Sequence, residues 1–137
     1  MRALIRVLFV RVDRLYAESH ETTIPHRSSI LVRDFRLALE HHFRTTQAVS
    51  DYAKLLNVSA DHLSHVVHEQ TGRQAGEIIR QRILLEAKRL LAHTEMNISE
   101  VAYALTFQDP AYFSRYFRRL TGQSPGEFRE SVGGSES

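Results

Sequence analysis

Apolar residues recur along most of this chain at three- and four-residue steps, the period of an α-helix with one buried face. Leu4, Leu8, Val12 and Leu15 follow it within Met1 to Ala17, and Ile30, Phe35, Leu37, Ala38 and Phe43 do so between Ile30 and Phe43. Leu63, Val66 and Val67 form the inner side of a third segment. Ile79, Ile83, Ala87 and Leu90 make one stripe along Ala75 to Ala92, and Val101, Ala102 and Leu105 lie in a short segment after it. Phe113, Tyr116, Phe117 and Leu120 share one side of the segment that follows. The pattern predicts an all-α fold of about seven helices plus an N-terminal helix.

Capping residues divide the pattern. Asn97-Ile98-Ser99-Glu100 has the capping-box form, an N-cap side chain with a carboxylate three residues on that reaches back. Asp109-Pro110 starts the next helix, since Asp accepts from free amides and Pro at the first helical position loses no needed donor. That helix ends at Gly122, and Ser124-Pro125-Gly126-Glu127 caps a third. A short helix, a tight turn and a longer second helix is the layout of a helix-turn-helix reader of DNA.

The layout occurs twice. In Ala48 to Gly72, Val49-Ser50-Asp51 corresponds to Ile98-Ser99-Glu100 at an offset of 49 residues. Leu63 against Phe113 and Thr71-Gly72 against Thr121-Gly122 stand at an offset of 50, so one residue is inserted at the turn. A matched pair is far more specific than a lone motif. In the first copy Asn57 suits a left-handed turn, and Ser59 is placed to cap the second helix. At 1.5 Å per residue, the helix between the copies spans about 27 Å. Successive major grooves on one side of B-DNA lie about 34 Å apart, which suits two readers in adjacent grooves.

The outer faces of the two second helices carry the candidate chemistry. In the later one, Ala111, Ser114, Arg115, Arg118 and Arg119 face away from the apolar side, with no carboxylate after Asp109. Arginine forks onto guanine O6/N7 or onto phosphate. In the earlier one the arc holds Asp61, Ser64, His65 and His68, with His62 and Glu69 at its edge. The three histidines sweep around the helix without a converging carboxylate, so polar reading of bases or phosphates is expected and a metal is not. His41-His42 are expected as helix-dipole partners at a C-terminus.

Composition narrows the picture. The chain has 137 residues, no cysteine and a net charge of +2. One domain, or one domain plus a piece of another, fits that length. The absence of cysteine removes disulfides, thiolate nucleophiles and zinc fingers, and fits a reducing compartment such as the cytoplasm. No Ser-His-Asp arrangement, phosphate-binding glycine loop or paired-carboxylate site stands out, so no enzyme activity and no cofactor are expected. The small net charge leaves the case for nucleic acid to the local faces.

Thr71-Gly72, RILLEAKRLL (Arg82 to Leu91), ISEVAYAL (Ile98 to Leu105) and FQDPAYFSRYFRRLTGQSPGEFR (Phe107 to Arg129) resemble the AraC/XylS family of bacterial transcription regulators. The resemblance covers about Ile30 to Ser131. It implies two helix-turn-helix subdomains joined by one long helix and reading two adjacent major-groove segments. It puts base contacts on Asp61, Ser64 and His65 in the first reader and on Ala111 and Arg115 in the second, with Ser59 and Asp109 close to phosphate. There are departures. Thr106 stands before Phe107 where the family usually has Gly, and a β-branched residue suits positive φ poorly, which predicts a strained or differently shaped second turn. His68 replaces a usual Lys or Arg, and Val67 a usual aromatic.

The expected organisation is therefore an apolar helix at 1–17, a linker at 18–29 (polar, with Pro25), a double helix-turn-helix domain at 30–131 and a disordered tail at 132–137. Arg2, Arg6, Arg11 and Arg14 interrupt the first segment, and it is too short to span a membrane. It reads as a surface for a second subunit or an N-terminal effector domain, in preference to a core helix. The leading expectation is a sequence-specific regulator of transcription that binds double-stranded DNA. RNA polymerase and a homodimer partner are its further partners. The alternative is a helical protein-interaction module that keeps the fold without specific DNA binding.

Overall fold

The computed structural model describes residues 26–134, and among them it contains seven α-helices and no strand. They are α1 (His26–His42), α2 (Val49–Leu55), α3 (Ala60–Thr71), α4 (Ala75–His93), α5 (Ile98–Ala104), α6 (Pro110–Thr121) and α7 (Pro125–Gly134). The apolar segment Met1 to Ala17 and most of the expected linker lie outside the described residues.

Two helical units share α4. Helices α1, α2 and α3 pack on one another, as do α5 with α6 and α6 with α7; α4 packs on α2 and α3 of the first unit and on α5 and α7 of the second. The reason lies in its composition. Ile78, Ile79, Ile83, Leu84, Ala87, Leu90 and Leu91 are all buried, an apolar surface wider than the single stripe expected. Its 19 residues give about 28 Å of stiff spacer at 1.5 Å per residue.

The helix ends follow the chemistry of the sequence. Asn97 accepts from the Glu100 amide at 2.8 Å and Glu100 accepts from the Asn97 amide at 2.8 Å, a complete capping box. Ser124 and Glu127 form the same reciprocal pair at 3.0 and 2.9 Å. Ser59 accepts from His62 and Asp109 from Ala111. Gly72 and Gly122 end α3 and α6 at φ 78° and 86°, in the left-handed region where an L side chain is strained. His41 and His42 lie in the last turn of α1, and a His41 ring nitrogen sits 3.0 Å from the Leu37 carbonyl oxygen.

The two turns match. Asn57 and Thr106, 49 positions apart, are the two non-glycine residues at positive φ among the described residues, at 60° and 63°. The Val58 amide donates to Ala53 and the Phe107 amide to Ala102, both at 3.0 Å, so the register is still 49 one residue later. The N-caps Ser59 and Asp109 are 50 apart. Gln108 is therefore the inserted residue. The second turn keeps the shape of the first, and of the two outcomes expected for Thr106 the strained one occurs.

Four expectations at the margins are corrected. Helix α1 begins at His26, inside the expected linker, and α7 runs through Val132 and Gly133 to Gly134, inside the expected tail. Leu37 is 48% exposed, because the buried residues of α1 are Val32, Phe35 and Leu39, continued by Phe43 just beyond it, and Leu37 lies on the opposite face of the helix. Leu120 is only half-buried at the edge of the second core.

The two cores differ in kind. In the second, Phe107 stacks at 5.1 Å on Phe113 and 5.0 Å on Tyr116, and Phe117 reaches Phe113 at 6.0 Å and Phe128 at 5.6 Å. Tilted and edge-on rings at these separations are the favoured arrangement. The first is more aliphatic around α3, with Leu63, Val66 and Val67. Its aromatic volume comes from Phe43 and from Phe35 and Tyr52, which meet edge-on at 5.7 Å. Val67 is fully buried there.

Candidate nucleic-acid interface

Helices α3 and α6 hold every candidate side chain between their N-caps and their last turns. Burial of Leu63, Val66 and Val67 turns Asp61, His62, His65, His68 and Glu69 outward, with Ser64 half-buried at the margin. Burial of Phe113, Tyr116 and Phe117 turns Ala111, Tyr112, Arg115, Arg118 and Arg119 outward in the same way, with Ser114 half-buried. Each expected site residue thus lies on or beside the exposed arc of its helix. Ser59 and Asp109 sit at the two N-termini, where free amides and the helix dipole favour an anion. Both side chains already accept one of those amides.

The arginines of α6 are not equivalent. Arg115 has no hydrogen-bond or ion-pair partner among the described residues, so its fork is free. Arg118 lies 3.6 Å from Glu127 of α7, whose carboxyl is held below the usual carboxylate range first by its bond to the Ser124 amide and then by Arg118. Arg119 lies over the Tyr116 ring at 5.9 Å. The exposed arc of α3 carries no Lys or Arg, only Asp61, Glu69 and three histidines. His65 is 3.8 Å from Glu69 on the next turn, and Asp61 occupies the first turn. Among the described residues no group of three or more His, Cys, Asp or Glu is arranged to hold a metal ion.

The periodicity did not reveal what ties the spacer helix to its surroundings. Glu86 of α4 is 4% exposed, yet it accepts two bonds from Arg89, at 3.0 and 2.8 Å, and one from Arg44. The Arg89 bonds, with the charge of Arg44, hold its carboxyl below the usual range against the opposing effect of burial. Arg82 reaches Glu40 of α1 at 2.5 and 3.2 Å and covers the Phe43 ring at 3.9 Å. Arg129 of α7 donates to the Leu91 carbonyl at 2.8 Å, at the far end of α4. A glutamate within a helical run carries no sequence mark of burial. The one available signal was the arginine three residues later, the spacing of a same-face pair.

Comparison with known proteins agrees with this geometry. Residues 52–131 match a family model described as a helix-turn-helix domain. The HTH-type transcriptional regulator GlxA of Rhizobium meliloti (strain 1021) is 40% identical over 81 residues, which is 59% of this chain and 25% of that protein. The C-terminal domain of AraT, a response regulator from Geobacillus stearothermophilus, superposes with a TM-score of 0.69 at 28% identity, covering 74% of this chain and 84% of that one. The DNA-binding domain of AdpA, a global transcriptional factor solved in complex with a target DNA, superposes at 0.64 with 27% identity, covering 74% and 90%. The chain spans a quarter of the length of GlxA.

Proposed function

Because the chain belongs to the AraC/XylS family of helix-turn-helix transcription regulators, we propose that it reads two adjacent major-groove segments of double-stranded DNA through α3 and α6. The observation that carries this reading is the paired motif. The same left-handed turn and N-capped second helix occur twice, each with a polar arc outward, on the two ends of one stiff helix. AdpA binds its target DNA with a domain of the same fold. The family is one of DNA-binding regulators and not of enzymes.

Within this reading Arg115 contacts a base edge, because it is exposed and unpaired, and a bidentate fork onto guanine needs a free guanidinium. Arg118 and Arg119 contact phosphate or base, and Ser114 and Ala111 allow close approach. Asp61, Ser64 and His65 read the other groove. His68, Ser59 and Asp109 border phosphate. The regulator acts on transcription through RNA polymerase and forms a homodimer through Met1 to Ala17. Bacterial duplex DNA lies in the cytoplasm, which is where this reading puts the chain. Among the described residues no helix is long and apolar enough to cross a membrane.

Selection from a random duplex library at fixed salt tests the reading, and enrichment of two short boxes about one helical turn apart is the expected result. Arg115→Ala then weakens the selected site by about 1–3 kcal/mol and relaxes one position. Arg118→Ala weakens all sequences alike and flattens the salt dependence. Equal loss on selected and scrambled duplex in Arg115→Ala would refute its role. A second reading is favoured by the exposed Asp61 and Glu69 on α3: a protein-interaction module that keeps the fold. It predicts no duplex binding even at low salt.

A further inference from the structure

The two readers are joined by more than the helix between them. Arg44 follows α1 in the first unit, and Thr106 stands in the turn before α6 in the second. The Thr106 hydroxyl donates to the Arg44 carbonyl oxygen, across 62 positions of sequence. Arg44 is itself anchored, its guanidinium on the buried Glu86. The loop it begins is pinned where the Tyr52 hydroxyl donates to the Thr46 carbonyl at 2.9 Å. Beside this bridge the units part around a cleft of about 480 Å³, with Thr45, Gln47 and Asp51 on one wall and Gln108, Asp109 and Tyr112 on the other.

Threonine is a poor residue for that turn. Its φ of 63° is a conformation that β-branched side chains adopt least readily, and the matching turn uses Asn57. Glycine would relieve the backbone but would carry no hydroxyl. The side chain therefore contributes something the turn alone does not need. We propose that Thr106 is a positioning residue: its bond to Arg44 fixes the angle and separation of α3 and α6, and so sets the spacing between DNA boxes that the chain accepts. The spacing part rests on the DNA reading above. One base pair more or less rotates one box by roughly 35° about the duplex axis, and a locked pair of readers does not follow that rotation.

Three variants and two readouts test it. Thr106→Ser keeps the hydroxyl, Thr106→Ala removes it, and Thr106→Gly removes it while relieving the turn. The chain has no cysteine, so Lys54→Cys and Ser99→Cys, both exposed and one in each unit, take spin labels for a distance distribution. The second readout is the affinity for the two-box duplex against duplexes with one base pair added or removed. Native and Thr106→Ser chains are expected to give a narrow distribution and strong discrimination. Thr106→Ala and Thr106→Gly are expected to broaden the distribution and lose discrimination on the order of fivefold, what one net hydrogen bond supplies. Affinity for a single isolated box should stay unchanged. Thr106→Gly melts no lower than the native chain, which separates loosening from unfolding. Unchanged distance and spacing behaviour in Thr106→Ala and Thr106→Gly would overturn the proposal, as would a Thr106→Ser chain as loose as Thr106→Ala. If no duplex is bound at all, the DNA reading fails, and the distance distributions still decide whether Thr106 holds the units together.

Discussion

Glu86 gives the sharpest test of how this fold is held, through Glu86→Gln. The native carboxylate is 4% exposed and accepts from Arg89 twice and from Arg44 once. Glutamine keeps the shape, but one of its two terminal atoms becomes a donor facing a guanidinium. Removing one partner of a fully buried ion pair costs about 3–5 kcal/mol, because a charge is left without water. Here the side chains of Arg44 and Arg89 are 55% and 53% exposed, so both rehydrate when released. The loss should therefore be that of a charge-assisted hydrogen bond with partial compensation, about 1.5–3 kcal/mol. Urea unfolding at neutral pH should show a lower midpoint at unchanged slope. The pH dependence carries the decisive sign. The folded carboxyl lies below its ordinary 4.5, so its stabilisation is complete above that value and is lost as pH falls through the folded pKa. The gap between native and Glu86→Gln chains should close in acid. A gap that persists unchanged to the lowest pH at which the native chain folds would refute the electrostatic account and leave packing as the cause.

Phe117→Ala should cost about 3–5 kcal/mol by denaturant unfolding, since a fully buried ring between Phe113 and Phe128 leaves a cavity. Tyr103→Ala, at a position 57% exposed, should stay within about 0.5 kcal/mol. In alkali, burial pushes Tyr52 and Tyr116 up to about 12 from an ordinary 10.0. Unfolded tyrosines therefore ionise first, and stability should fall from about pH 10 and level off above about 12. Tyrosinate absorbance during a pH jump, compared with Tyr52→Phe and Tyr116→Phe chains, checks this, and either of these two phenols ionising at 10 in a chain that is still folded would contradict it.

Much of the fold follows from single side chains acting over three or four residues. The capping pairs Asn97–Glu100 and Ser124–Glu127, the caps Ser59 and Asp109, and the glycines that end α3 and α6 satisfy backbone groups next to them, so spacing alone reveals them. The outward arcs of α3 and α6 follow in the same way, because a helix with one apolar side must turn the other out. Periodicity is less exact where a helix is long or wide. Leu37 fits a helical step yet lies outside the buried stripe of α1, and α4 buries more of its surface than one stripe because it lies between two units. The tertiary structure alone decided which groups far apart in the sequence meet. Arg44 and Glu86 are 42 positions apart, as are Arg82 and Glu40, and Arg44 and Thr106 are 62 apart. No local rule couples such residues, since their approach depends on how α1 and the second turn come to rest on α4. That packing buries a glutamate, leaves Arg115 free while Arg118 faces Glu127, and sets a threonine in a left-handed turn against the opposite unit.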